Sequence, residues 1–386
     1  MILIKKKKMQ KFDAIRPFYD SEINEAILKV IDHPMMKALM NFAFPAVPDE
    51  HWKEQLKKTH STRDFQCNFI YQALMQVLQK TSDGITTSGF DLLEPNTSYL
   101  FISNHRDIIL DTSLLNACLF ENRLVMTASA IGDNLVKKNF LYTLSKLNRN
   151  FLVQRGLSPR EMLQSSKLLS EYIGNLLLHE NRSVWIAQRE GRTKDGNDAT
   201  HQGVLKMLGM GSDEANLMDY FKKVKIVPVS ISYEYDPTDA LKMPQLMAEA
   251  NKEIYVKEKN EDFMTLMSGI MGQKKRIHIH VGKVLDEEID LIKTTFDNTN
   301  KQIQALAQTI DDSILQSYKL WPTNYIAFDI LHQSETYKKF YTESEKSLFE
   351  RRLEMKIDEN HPIQRAGFLA MYANPVVNKS KYENAV

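Results

Sequence analysis

Apolar residues recur three and four positions apart through the first part of the chain, as in Ile23, Ala26, Ile27 and Val30 and again in Phe69, Leu74, Val77 and Leu78. That spacing puts them on one face of a helix, so helices and almost no strand are predicted from about Phe12 to Gln79. The turn-forming stretch Lys80-Thr81-Ser82-Asp83-Gly84 closes this region. Beyond it the period changes. Short β runs at 98–103, 151–154, 183–187, 225–232 and 276–281 alternate with helical segments, the pattern of an α/β fold with a mixed sheet flanked by helices. From about Asn298 the helical period returns through Ile303, Leu306, Ile310 and Leu315, before a polar tail at Asn378-Lys379-Ser380-Lys381. Three parts are therefore expected: an N-terminal helical cap over 1–84, an α/β domain over 85–297 and a C-terminal helical extension and tail over 298–386.

Ligands of such sheets bind beyond strand ends, which draws attention to Asn104-His105-Arg106-Asp107-Ile108-Ile109-Leu110-Asp111, directly after the apolar run Tyr99-Leu100-Phe101-Ile102. An imidazole held by a carboxylate is a general base, and the combination contributes roughly 10²–10⁴-fold in rate. Taken alone the stretch admits two readings. His105 could instead close the strand end by hydrogen bonding while Asp107 or Asp111 caps the following helix. His105, Arg155 and Glu190 all follow predicted strands, where they can converge.

Further segments recur in a fixed order. Ser88-Gly89-Phe90-Asp91-Leu92-Leu93 precedes the histidine stretch; Asn150-Phe151-Leu152-Val153-Gln154-Arg155-Gly156 follows it; then come Glu190-Gly191-Arg192-Thr193-Lys194-Asp195-Gly196, with Gln202-Gly203-Val204-Leu205-Lys206, and Lys225-Ile226-Val227-Pro228-Val229-Ser230-Ile231. Together they resemble the blocks of the glycerolipid acyltransferase superfamily, which acylates glycerol-3-phosphate or lysophosphatidate. The similarity covers roughly residues 85 to 285.

The resemblance implies roles. His105 matches the base and Asp111 its orienting carboxylate; Arg155 matches an arginine that binds the glycerol phosphate; Glu190 fixes the acceptor hydroxyl or a neighbouring arginine, and Arg192 joins in phosphate binding. Asn104 and Gly191 are expected beside them at the acceptor. Two spacings depart from the family. Between His105 and Asp111 there is one residue more than usual, so either the turn is longer or Asp107 is the functional carboxylate. Asp111 is preferred because it follows an apolar residue and opens a predicted helix. Arg192, for its part, follows Gly191 directly, without the usual intervening residue.

The same chemistry can be read from the residue types. Acylating an alcohol needs a base, donors for a developing oxyanion and cations for a phosphate, and the arginine fork suits a bidentate phosphate contact better than lysine does. Arg189 is as readily a solvated charge.

Composition narrows the field. A net charge of +1 over 386 residues gives no polyanion signal, which argues against nucleic acid. Cys67 and Cys118 lack metal-site spacing and are too few for a disulfide framework, so a reducing cytoplasm is expected. His278 and His280 share one strand face, but no third ligand accompanies them and no metal is expected. No apolar run reaches the roughly 20 residues of a membrane-spanning helix. Contact with anionic lipid is still open to Lys5-Lys6-Lys7-Lys8, or to the basic amphipathic segment Val136–Arg149, whose stripe of Phe140, Leu141, Leu144 and Leu147 could equally face the core.

The expected activity is transfer of a fatty acyl group from an acyl thioester, acyl-CoA or acyl carrier protein, to a hydroxyl of glycerol-3-phosphate or a lysophospholipid, without a further cofactor. A cytoplasmic enzyme, peripheral on the inner face of the membrane, fits this picture. Two alternatives stand against it. His105-Arg106-Asp107 suggests a kinase loop, but Thr112 occupies the place of the required asparagine and no glycine-rich phosphate loop precedes it. A noncatalytic lipid- or phosphate-binding relative with a decayed site would explain the altered spacings.

Overall fold

The structure, a computed structural model, describes residues 11–258, 260–358 and 360–385; Lys5 to Lys8 lie outside them. The apolar spacing of the N-terminal region folds as helices α1 (Asp20–Val30), α2 (Pro34–Ala43) and α3 (Asp49–Lys57), a short turn of helix at Thr62–Phe65, and a π-helical turn at Gln66–Ile70 that runs into α4 (Tyr71–Thr81). Ile23, Ile27, Met36, Met40 and Trp52 bury their side chains together.

Seven strands follow: β1 (Ser82–Ser88), β2 (Leu100–Ser103), β3 (Thr127–Gly132), β4 (Asn150–Val153), β5 (Ser183–Ala187), β6 (Ile226–Tyr233) and β7 (Lys275–Val281). They form one sheet in the order β1-β7-β6-β2-β5-β3-β4. Strands β2 to β6 are parallel, and β7 runs antiparallel to β6 while pairing in parallel with β1. The sheet is thus mixed, as expected. The stretch at 80–84 is not a turn: α4 continues to Thr81 and β1 begins at once.

Helices cover both faces. In chain order they are α5 (Leu110–Glu121), α6 (Asn139–Leu147), α7 (Pro159–His179), α8 (Gln202–Gly209), α9 (Leu217–Lys223), α10 (Asp239–Ala250), α11 (Glu261–Met271), α12 (Asp286–Thr295), α13 (Thr299–Ser317), α14 (Pro322–His332), α15 (Glu343–Lys356) and α16 (Pro362–Ala385). The residues of β2 alternate between the two faces as a strand requires. Leu100 and Ile102 pack with Ile173 of α7, Leu205 of α8 and Ile303 of α13, whereas Phe101 packs with Leu114 of α5 and Leu74 of α4. The C-terminal helix α13 therefore belongs to the same core as the sheet. The polar tail is not a separate coil, since α16 carries it in helix to Ala385.

The stripe of α6 faces inward. Phe140 and Leu147 are buried in the N-terminal helical cluster, with Leu141 and Leu144 packed on it. Lys146 is buried as well, its ammonium bonded to the Tyr142 hydroxyl at 3.2 Å. The interfacial reading of this helix thereby loses its apolar face, and of the segment's cations only Lys137 and Lys138 at its entry are exposed. Among the described residues no helix is long and apolar enough to cross a membrane.

Candidate active site

Because β2 to β6 are parallel, their carboxyl ends share one edge of the sheet. Residues 104–107, Arg155, Glu190 and Asp236 all lie just past those ends. Asn104 continues the sheet by its side chain: its amide donates to the Ile231 carbonyl at 2.9 Å and accepts from the Ile231 amide at 2.8 Å. It is fully buried, so the structure places it in the scaffold under the site, with its polar atoms occupied by β6.

The next residue turns out of the sheet. His105 Nδ1 lies 2.7 Å from Asp111 Oδ2, with the His105 side chain 14% and the Asp111 side chain 0% exposed. The same oxygen accepts from the backbone amides of Arg106 at 2.7 Å and Asp107 at 3.0 Å, while Oδ1 accepts from the Tyr233 hydroxyl at 2.8 Å. Four donors thus converge on one buried carboxylate, which fixes its orientation. With Nδ1 turned to Asp111, Nε2 is the nitrogen left to exchange a proton with a substrate. The Trp185 ring packs against the imidazole at 5.3 Å and 71°, itself held by a 2.9 Å bond from its Nε1 to Ser103 Oγ.

Asp107 does something else. Its Oδ1 accepts from the amides of Ile109 and Leu110, both at 2.9 Å, and so satisfies the free N–H groups at the start of α5. Its Oδ2 is buried without a partner. Burial, reinforced by the neighbouring Asp111, raises the Asp107 carboxyl above its ordinary range. Gly269 of α11 closes over it: a Cβ there would fall 2.1 Å from Asp107 Oδ2, so only glycine lets the helix come this near.

At the neighbouring strand ends Arg155 forms an ion pair with Glu190; their side chains are 39% and 72% exposed. Gly191, exposed and at φ 73°, makes the left-handed turn that follows Glu190. Arg192 reaches Thr238 Oγ1 at 3.4 Å. Lys194 donates to the Arg192 carbonyl at 2.6 Å, and burial together with Arg192, Lys242 and other cations brings its ammonium down to about 7.

Tyr233 and Trp185 carry no motif, and the sequence assigns no role to them or to Lys194, although Lys194 stands in the block that carries Glu190. Trp185 falls in a predicted strand and Tyr233 directly follows one. The His278 and His280 pair sits away from these groups, bridged by Ser88 Oγ at 3.1 and 2.8 Å. Among the described residues no group of three or more His, Cys, Asp or Glu side chains is arranged to hold a metal.

Comparison with known proteins finds a family model and similar solved structures. Residues 84–232 match the family model described as Acyltransferase. The solved structure of the 1-acyl-sn-glycerophosphate (LPA) acyltransferase PlsC from Thermotoga maritima is similar at 12% identity with a TM-score of 0.38, over 75% of this chain and 91% of that one. No curated protein sequence matches.

Proposed function

We propose that this chain, which belongs to the glycerolipid acyltransferase superfamily through its acyltransferase domain at residues 84–232, moves a fatty acyl group from a thioester to a hydroxyl of glycerol-3-phosphate or a lysophospholipid. The observation that carries the reading is the His105–Asp111 pair, its carboxylate fully buried and its imidazole partly exposed, standing at the same sheet edge as Arg155 and Glu190. In this account His105 Nε2 takes the proton of the acceptor hydroxyl as its oxygen attacks the thioester carbonyl. The imidazolium, stabilised by Asp111, returns the proton to the departing sulfur as the tetrahedral intermediate collapses, leaving an ester and a free thiol.

Arg155 exchanges its contact with Glu190 for the acceptor phosphate, a charge-assisted bond available before the chemical step. Arg192, in the loop that carries Glu190, adds a further cation for that phosphate. A lipid acceptor carries with it a working place at the inner face of the membrane, and no group beyond the two substrates is required.

The test is identification of the product by mass spectrometry, using acyl-CoA and acyl carrier protein donors against a panel of phosphorylated and unphosphorylated acceptors. An ester of a phosphate-bearing acceptor is expected. His105→Ala should lower its rate of formation by at least ~10² at unchanged folding. Binding without turnover in the wild-type protein would instead favour a noncatalytic lipid-binding role.

A further inference from the structure

Arg106 follows the base directly, yet its side chain is buried. It forms an ion pair with Asp198, the two side chains 5% and 7% exposed. The Tyr318 ring lies 5.7 Å from the guanidinium. The arginine backbone is tied down too: its amide donates to the Asp111 oxygen that holds His105, and its carbonyl faces the Lys242 ammonium at 3.4 Å.

Asp198 belongs to the loop that follows β5 and carries Glu190 and Arg192. Its other oxygen accepts from the Thr193 hydroxyl, and the Thr193 amide donates to the His105 carbonyl at 3.0 Å. The loop is anchored from outside as well. Asp311 of α13 accepts from the Thr200 amide at 2.8 Å, and Asn374 of α16 donates to the Asp195 carbonyl at 2.7 Å. The loop has fixed supports at both flanks, and Arg106 is the charged link between it and the base.

We infer that Arg106 and Asp198 form a positioning pair that keeps the Glu190–Arg192 loop in register with His105. The inference rests on the acyl-transfer reading of the site. Neither side chain touches substrate in this account; each acts through backbone that also carries a reacting or binding group. Two charges buried in this way gain little stability over apolar side chains of similar size, whereas removing one alone strands the other. Displacing a reacting group by about 1 Å costs on the order of 10²-fold in rate.

The critical experiment pairs Arg106→Met with Asp198→Leu in one protein, so that no lone charge is buried. Its thermal midpoint is expected close to wild type while kcat falls about 10–10²-fold, and the acceptor KM changes much less, because Arg155, past the end of β4, still takes the phosphate. Wild-type kcat in this double variant overturns the inference. So does a wild-type kcat per folded molecule in a partly folded preparation, since that would mark a structural role. Should the double variant not fold, Asp198→Glu keeps the charge but shifts the link, and it must lower kcat with the midpoint retained; an unchanged kcat refutes the pairing. His105→Ala assayed alongside separates the two levels. If it retains wild-type turnover, the base assignment falls and the inference with it; if it is inactive while the double variant is fully active, only the positioning pair is lost.

Discussion

Asp111→Asn removes a charge and almost nothing else. If the amide oxygen takes the place of Oδ2, it still accepts from His105, Arg106 and Asp107, and the new NH₂ group faces the Tyr233 hydroxyl, which can turn to accept. Folding should therefore survive. What disappears is the attraction between the carboxylate and the imidazolium formed in the transition state. With charge centres about 4 Å apart and an effective dielectric constant of ~20, that attraction is about 4 kcal/mol, or roughly 10³-fold in kcat. Initial rates with a saturating thioester donor, read beside the thermal midpoint, measure both quantities. Asp107→Asn is the matched control. Asparagine caps a helix as well as aspartate does, so turnover should stay within a few fold. Its stability effect has a definite sign. A carboxyl whose folded pKa is raised binds its proton more tightly in the native state, so the wild type loses stability as pH rises from the unfolded value through the folded one. The Asn variant lacks that loss, so its midpoint advantage should be present above this window and shrink as the pH falls towards 4. A kcat for Asp111→Asn within tenfold of wild type, or a large loss for Asp107→Asn at unchanged folding, would refute the assignment of the orienting carboxylate.

Two further outcomes follow from the cationic side of the cleft. Arg155→Ala should raise the acceptor KM by about tenfold or more for phosphate-bearing acceptors and leave unphosphorylated ones nearly unchanged; equal losses for both, in steady-state kinetics, would remove the phosphate contact. Lys194, brought down to about 7 by burial and its cationic neighbours, binds its proton less tightly folded than unfolded, so it weakens the fold increasingly as pH drops from about 10 to about 7. Lys194→Met should accordingly raise the thermal midpoint most at pH 6–7 and least near pH 10; a pH-independent difference in a melting series would show that this ammonium is not desolvated.

The parts of this molecule that were legible in the sequence share a physical origin. Strands β2, β4 and β5 announce themselves by short apolar runs, and β6 and β7 by apolar residues at alternate positions, Val227, Val229 and Ile231 in one and Ile277, Ile279 and Val281 in the other; the His, Arg and Glu at the ends of β2, β4 and β5 inherit their placement from the parallel sheet. β1, with the sequence Ser-Asp-Gly-Ile-Thr-Thr-Ser, is a largely exposed edge strand, and β3 opens Thr-Ala-Ser-Ala with small residues; neither has the side-chain bulk that marks a strand. In the histidine stretch Asp111 faces the imidazole and Asp107 caps α5; the sequence could prefer Asp111 for the helix it opens, but with Asp107 so near in the chain only the folded turn separates their contacts. The amphipathic stripe of α6 could not declare which surface it met. Asp198 was invisible for a different reason: its partner lies 92 positions away, and nothing local distinguishes a buried loop carboxylate from a solvated one.

The entry of α13 into the sheet core has a consequence for modularity. The family-matching segment ends at residue 232, but cutting there would strip β7 from its place beside β6 and uncover the face that Ile303, Leu306 and Ile310 shield. An excised segment would be left with an open strand edge, a ready template for pairing with another chain. The matched segment is thus smaller than the folding unit. On the proposed reading, product formation depends on helices that carry none of the site residues, and a deep mutational survey scored on it should find sensitive positions in α13 and α16, far along the chain from any motif.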